Sequence, residues 1–410
     1  MPALSPSISI QQGAHPSPEY ELLLVCLDPT INCDRLESLL RELETCLDWD
    51  RFIKTANWHG VTPLVYRALS QTVPQSIPKA PFQKLLSFYV ANAARNQIHA
   101  QALLKLLDIF QTLSIPVLCF KGPLLAQTLY GDLNLRYFAD LDLLVRPEDT
   151  ARARQALMQQ NYVPKRLDDS RFADSYLRSQ CWDDTFTRTD GAITIDLHNT
   201  LTPPYFPVHF DLVQISQRLQ LIPFQNKTLY SFCDEDLLLY LCVHGCKELW
   251  RRLIWVCDIA ELVRSRPQLR WDWILERAQQ SGIERIVLLS LVLAQQLHNL
   301  VLPDIIQQRL QKHPPLDALL NEFQTRLFSD IDSLSKQSEA GFWVFHHPLH
   351  LKMRERWQDK LPQYWATLKF LILPNEEDQR FFPLPNLLFP FYFAIRPLRL
   401  FLKFSRVKHA

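Results

Sequence analysis

Apolar residues recur at helical spacing through the first part of the chain. CDRLESLLRELETCL reads as a helix with Asp34 as N-cap, and WDRFIKTANWHGVTPLVYRAL as two helices parted at Gly60 and Pro63. After a proline-containing loop, FQKLLSFYVANAARNQIHAQALLKLLDIFQTL runs about thirty residues without glycine or proline, which predicts one long helix.

The pattern changes at Ser114. IPVLCF is a short run of β-formers with Pro116 near its start, followed by Lys121-Gly122-Pro123 and a helical LLAQTLYGD. After a turn at Asn134, ADLDLLVRP alternates acidic and apolar positions as a strand does, and Glu148–Gln160 reads as a helix. WDDTFTRTDGAITIDLHNTL predicts a hairpin turning at Asp190-Gly191. Helical period returns at Asp234 and continues, weakening, to Leu373.

These elements imply an α+β chain with a small sheet flanked by helices. The expected boundaries are a disordered leader over 1–20, a helical region over 21–113 and an α/β core over 114–232. A helical domain over 233–375 and an apolar, basic tail over 376–410 complete it. The 410 residues, 47% hydrophobic, support a sizeable core. The N-terminus lacks a basic stretch followed by an apolar one, and no window of eighteen apolar residues occurs. Nine scattered cysteines without a CxxC argue for reduced thiols, hence a cytoplasmic chain. A net charge of +1 supplies no global field for nucleic acid. Only eight glycines are present and no glycine-rich phosphate loop, so a nucleotide would be held by charge and metal.

Asp140 and Asp142 fall on one face of a strand, and Asp196 on the later strand adds a third carboxylate. Three such oxygens suit one or two magnesium ions, which also bind triphosphate. A bare Asp-x-Asp also arises by chance or lines a solvated sheet face. Its context is what favours a metal site: it follows a strand–Lys-Gly–helix unit and precedes an Ile-Asp strand.

IPVLCFKGPLLAQTLYGDLNLRYFADLDLLVRPED, with IDLH at 195–198, resembles the uncharacterised nucleotidyltransferase family of the DNA polymerase β superfamily. The likeness extends over roughly residues 35–265. It implies a mixed, palm-like sheet and Mg2+-dependent transfer of a nucleoside monophosphate from a nucleoside triphosphate to an acceptor. Asp140, Asp142 and Asp196 would be the catalytic and metal-binding residues. The acceptor stays open among a protein, a peptide and a small metabolite. Where the wider superfamily has Gly-Ser at the turn, this chain has Lys121-Gly122-Pro123, and Lys121 would supply charge instead. A metal-dependent glycosyltransferase, which also uses Asp-x-Asp, and a degenerate nucleotide-binding protein are the competing readings.

Further residues are candidates for gripping the nucleotide. Lys121 sits at a helix start, where amides favour an anion, or is a solvated surface lysine. Gly122 serves the turn. Arg136 either pairs with phosphate or holds the aspartates by a salt bridge. His198 is an acid, a base or a half-buried strand residue. His244, Lys247, Arg251 and Asp258 share a stripe if their segment is one helix, with Gly245 as a bend aiming His244 inward. Cys242 and Cys246 read as core thiols. Residues 381–408 combine basic and aromatic side chains as interfacial membrane segments do, though prolines 383, 385, 390 and 397 interrupt a long helix. A tail folded over the helical domain is the alternative.

Overall fold

The computed structural model describes residues 17–73, 75–165, 183–203, 206, 208–329, 348–374, 378 and 381–407. Helices α1 (Pro18–Leu27), α2 (Cys33–Leu43), α3 (Trp49–Trp58), α4 (Thr62–Thr72) and α5 (Lys79–Thr112) precede the sheet. The boundary expected at residue 20 falls inside α1. Pro18, Glu19 and Tyr20 open α1, with Pro18 in the first turn where its missing N–H costs nothing. Residues 1–16 lie outside the described residues. The cap of α2 is Asn32, whose side chain accepts from the Arg35 amide, and Asp34 falls inside the first turn.

Five strands form one mixed sheet in the order β1-β2-β5-β4-β3: β1 (Val117–Cys119), β2 (Asp140–Val145), β3 (Tyr162–Pro164), β4 (Asp183–Arg188) and β5 (Thr194–His198). β2 and β5 run parallel; the other pairs are antiparallel. Helices α6 (Gly122–Tyr130) and α7 (Thr150–Gln159) connect β1 to β2 and β2 to β3. A short α8 (Leu212–Ser216) and a separate hairpin, β6 (Gln220–Phe224) and β7 (Lys227–Ser231), follow. The fold is thus α+β with a small mixed sheet. The long alternation of strands and helices expected of a glycosyltransferase does not precede Asp140 among the described residues, where five helices, the strand β1 and a sixth helix do.

The C-terminal helices are α9 (Asp234–Lys247), α10 (Leu253–Ser265), α11 (Trp271–Gln280), α12 (Glu284–His298), α13 (Asp304–Lys312), α14 (Asp317–Leu327), α15 (Pro348–Met353), α16 (Trp357–Ile372) and α17 (Tyr392–Val407). The N- and C-terminal helical regions, expected as separate units, share one core. α1 is apolar on every side, so it must be wrapped: Leu22, Leu23 and Leu24 are buried in the same cluster as Leu288, Leu289 and Leu291 of α12. His59 secures the join. Its Nδ1 accepts from the Leu253 amide (3.3 Å), and its Nε2 meets the Tyr20 hydroxyl (3.2 Å), which donates to the Leu327 carbonyl. A second cluster fills the opposite face of the sheet, where Leu141, Leu143, Ile195 and Leu197 meet Leu103, Leu106 and Phe110 of α5.

The prolines of the C-terminal tail do not prevent a helix. α17 runs through Pro397, which lacks only the one amide that would bond four residues back, while Pro383 and Pro385 precede it in non-helical chain.

Candidate active site

Strand alternation separates chemistry from core. On β2, Leu141, Leu143 and Val145 enter the α5-side core, which turns Asp140 and Asp142 toward the opposite face. β5 does the same: Ile195 and Leu197 point into that core, and Asp196 and His198 oppose them. The parallel register sets Asp142 beside Asp196, Asp140 beside Thr194 and Leu144 beside His198. Ligand atoms of Asp142, Asp196 and His198 come within 4.8 Å of one another, the spacing of a metal-binding set. His198 Nε2 is 3.1 Å from Asp142 Oδ1. A buried carboxylate oxygen of Asp196 has no hydrogen-bond partner among the described residues. Such an orphan costs free energy unless a cation or donor completes it.

Asp140 stands at the first position of β2, adjoining this trio. Burial and the charges of Asp142 and Asp196 push its pKa up against the pull of Lys121 and Arg136. Asp142 goes the other way. Burial opposes its ionisation, but the Lys121 ammonium and His198 outweigh it and hold it well below the usual carboxylate range. Lys121 Nζ donates to Asp142 Oδ1 at 3.0 Å, and both groups are largely buried. Burial works against its charge too, but Asp142, Tyr240 and Asp140 raise its pKa. The ammonium also lies over the Tyr240 and Phe120 rings, at 5.5 and 5.6 Å. It is no surface lysine.

Gly122 is required by the backbone. Its φ is +58°, and a Cβ there would stand 3.3 Å from the Asp140 carbonyl oxygen, so the turn passes directly over the acidic strand.

Arg136 is committed elsewhere. Its guanidinium forks onto Asp258 of α10, Nε to Oδ1 at 2.9 Å and Nη2 to Oδ2 at 2.8 Å, with both residues buried. The Tyr130 hydroxyl donates to the same carboxylate (2.9 Å). This geometry makes Arg136 a tether between the loop entering β2 and the helical layer, with its salt bridge made to Asp258 rather than to the strand aspartates.

The expected single stripe of His244, Lys247, Arg251 and Asp258 is broken. α9 stops at Lys247, Leu249 and Trp250 take positive φ of 55° and 50°, and α10 starts at Leu253. Gly245 does not bend its helix either. It admits the Trp250 ring, which a Cβ at 245 would approach to 2.2 Å. His244 faces the site, its ring parallel to Tyr240 (6.0 Å between centroids) and edge-on to Trp255 (5.5 Å). Burial, then the charges of Lys121 and Lys247, lower its pKa well below the ordinary value, so it is a neutral ring at pH 7. Lys247 pairs with Glu248 (3.0 Å), which also accepts from Arg251 (2.7 Å). Cys242 and Cys246 are buried free thiols.

Sequence reasoning left His198 open between a chemical and a structural role and missed Tyr240 and Glu248. The alternation that placed His198 on the face of Asp196 was the available signal; Tyr240 and Glu248 carried none. Arg252, at the start of α10, lies over the Trp58 ring (5.6 Å); burial lowers its pKa while Tyr137 and Asp140 favour its charge. A cavity of about 910 Å³ opens one residue past His198, lined among others by Asn199, Thr200, His209, Arg277 and Arg356. The three aspartates and His198 do not line it.

A family model described as an uncharacterised nucleotidyltransferase matches residues 45–299, which run from just before α3 to the end of α12 and include the whole sheet. No curated protein and no solved structure matches the chain.

Proposed function

The chain belongs to the uncharacterised nucleotidyltransferase family, and from that premise we propose that it moves a nucleoside monophosphate from a nucleoside triphosphate to a hydroxyl or phosphate of an acceptor. The observation that carries this reading is the register of β2 on β5, which gathers Asp142, Asp196 and His198 with Asp140 adjoining. The residues fit a divalent ion. Two carboxylates and an imidazole converge, one Asp196 oxygen is orphaned, and the pKa of Asp140 is raised by burial and then by the charges of Asp142 and Asp196, both of which a cation would offset. Magnesium or manganese bound there neutralises phosphate charge and makes an attacking hydroxyl more acidic.

The rest falls to the chain itself. Asp142, Asp196 and His198 hold the metal, and Asp140 adds negative charge beside them. Lys121, with the first amides of α6, offers positive charge to phosphate oxygens. Lys247 and Arg252 line the helical wall with further positive charge, and Tyr240 and His244 offer flat, neutral surfaces. The acceptor oxygen attacks the α-phosphorus while the bond to the bridging oxygen breaks and pyrophosphate leaves. For a hydroxyl acceptor the proton passes to Asp196. A protein, peptide or small metabolite suits the acceptor better than nucleic acid, given the net charge of +1.

The test supplies each nucleoside triphosphate labelled at the α-phosphate, with magnesium or manganese and a cell extract as acceptor source. Label transfer and pyrophosphate release are expected from the wild type and from neither Asp142→Asn nor Asp196→Asn. Equal transfer by all three sinks the proposal. Tight triphosphate binding without turnover would mark a non-catalytic nucleotide binder instead.

A further inference from the structure

The two C-terminal helices are built inside out. On α16, Trp357, Leu361, Tyr364, Trp365, Leu368 and Ile372 recur at helical spacing and all are exposed, Trp357 at 71% and Leu361 at 60%. On α17, Phe393, Leu398, Phe401 and Leu402 form a second exposed stripe, with Phe401 at 69%. The polar groups point inward. Asp378, fully buried, accepts from Arg396 Nη1 (2.8 Å) and Arg399 Nε (2.5 Å), and Gln363 is buried as well. A chain that buries its ion pairs and shows water its tryptophans and phenylalanines has an apolar surface to meet.

We propose that α16 and α17 dock this protein on an anionic lipid surface. Neither helix is long and apolar enough to cross a bilayer, so they lie in its interface. Charge selects the occupant. After Asp378 the sequence carries six Lys or Arg residues and no acid; Arg396 and Arg399 are taken up by Asp378, and the other four are not balanced by any acid after it. The lysines also sit where a bilayer needs them. Lys360 Nζ lies 5.2 Å from the Trp357 ring centroid and Lys369 Nζ 5.6 Å from that of Trp365. An ammonium stacked on an inserting indole reaches lipid phosphates while its stem stays apolar. The core of a protein–protein interface is instead depleted of lysine. The face also lies beyond residue 299, where the family match ends.

The full chain is sedimented with vesicles of phosphatidylcholine alone and of an equal mixture with phosphatidylglycerol. Binding to the anionic vesicles is expected, with a blue shift of tryptophan fluorescence, and about tenfold weaker binding to the neutral ones. Trp365→Ser with Phe401→Ser, both exposed sites, should lower partitioning by about tenfold or more with circular dichroism unchanged. Lys360→Glu with Lys369→Glu should remove the preference for anionic lipid. The proposal is overturned if the folded wild type sediments with neither vesicle. It is equally overturned if light scattering shows a dimer that the Trp365/Phe401 substitutions dissolve, since a second copy would then cover the face. No nucleotide or metal enters the measurement, so its outcome is independent of the transferase proposal.

Discussion

Arg136 separates a structural account of this site from one based on phosphate binding. Its guanidinium makes two bonds to Asp258, at 2.9 and 2.8 Å, in a place where Asp258 is 0% exposed. Replacing it by Met preserves most of the volume but strands a buried carboxylate with only the Tyr130 hydroxyl to satisfy it. Breaking a buried pair from one side costs about 3–5 kcal/mol, because the remaining charge keeps its desolvation penalty and loses its partner. Removing both charges, with Arg136→Met and Asp258→Leu together, should recover most of that loss, since apolar isosteres of buried pairs are close to neutral. The assay is a urea titration followed by circular dichroism, with calorimetry of triphosphate binding on each variant that stays folded. The expected order of midpoints is wild type, double variant, then Arg136→Met well below both. An Arg136→Met protein with an unchanged midpoint and lost triphosphate binding would refute the tether and restore the phosphate role.

Three other outcomes are expected. Gly245→Ala gains about 1 kcal/mol of helix propensity but drives a methyl into the Trp250 ring, and overpacking of about 1–3 kcal/mol or more should win; a urea midpoint at or above wild type would contradict this, and Trp250→Leu in the same chain should recover the loss. His59 and His298 are buried and neutral, burial lowering their pKa to about 3 and about 4 from 6.5. Their folded values lie below the unfolded one, so the stability they carry is complete above pH 6.5 and drains as pH falls toward the folded values; each should cost about 2–3 kcal/mol at pH 4.5, seen as a melting temperature that His59→Gln/His298→Gln makes less pH-dependent. Lys121→Met removes the cation opposite Asp142, so manganese should stabilise the variant by about 2–3 kcal/mol at a hundredfold excess over the variant's Kd and stabilise the wild type less at the same concentration, read as the rise in melting temperature; equal shifts would argue against a metal at Asp142.

The acidic strand, the Lys-Gly turn and the hairpin with its third carboxylate were legible because each is local. A period of two and an Asp-Gly turn depend on neighbours within a few residues. The register of β2 on β5 was not legible, and that register alone makes His198 a partner of Asp142; a slip of one residue would have sent it to the other face. Arg136 and Asp258 lie 122 residues apart in sequence, and no local signal connects them. The break after Lys247 was hidden for a related reason. Leu249 and Trp250 have no intrinsic preference for positive φ, and they adopt it because Trp250 folds back over Gly245, the one residue of α9 small enough to receive it.

The Lys-Gly-Pro turn looked like a departure that weakened the transferase reading, and its geometry changes that weight. Lys121 is held 3.0 Å from Asp142, while burial and the neighbouring carboxylates keep the pKa of Asp140 raised and Asp196 keeps an orphaned oxygen. Among these three carboxylates only Asp142 accepts directly from the Lys121 ammonium. A triphosphate alone would add negative charge beside them, and a divalent cation alone would compete with Lys121 for Asp142. The two together would remove both objections: Asp142 would hold the cation, and Lys121 would meet a phosphate. On the proposed reading, then, lysine at this turn couples metal to nucleotide.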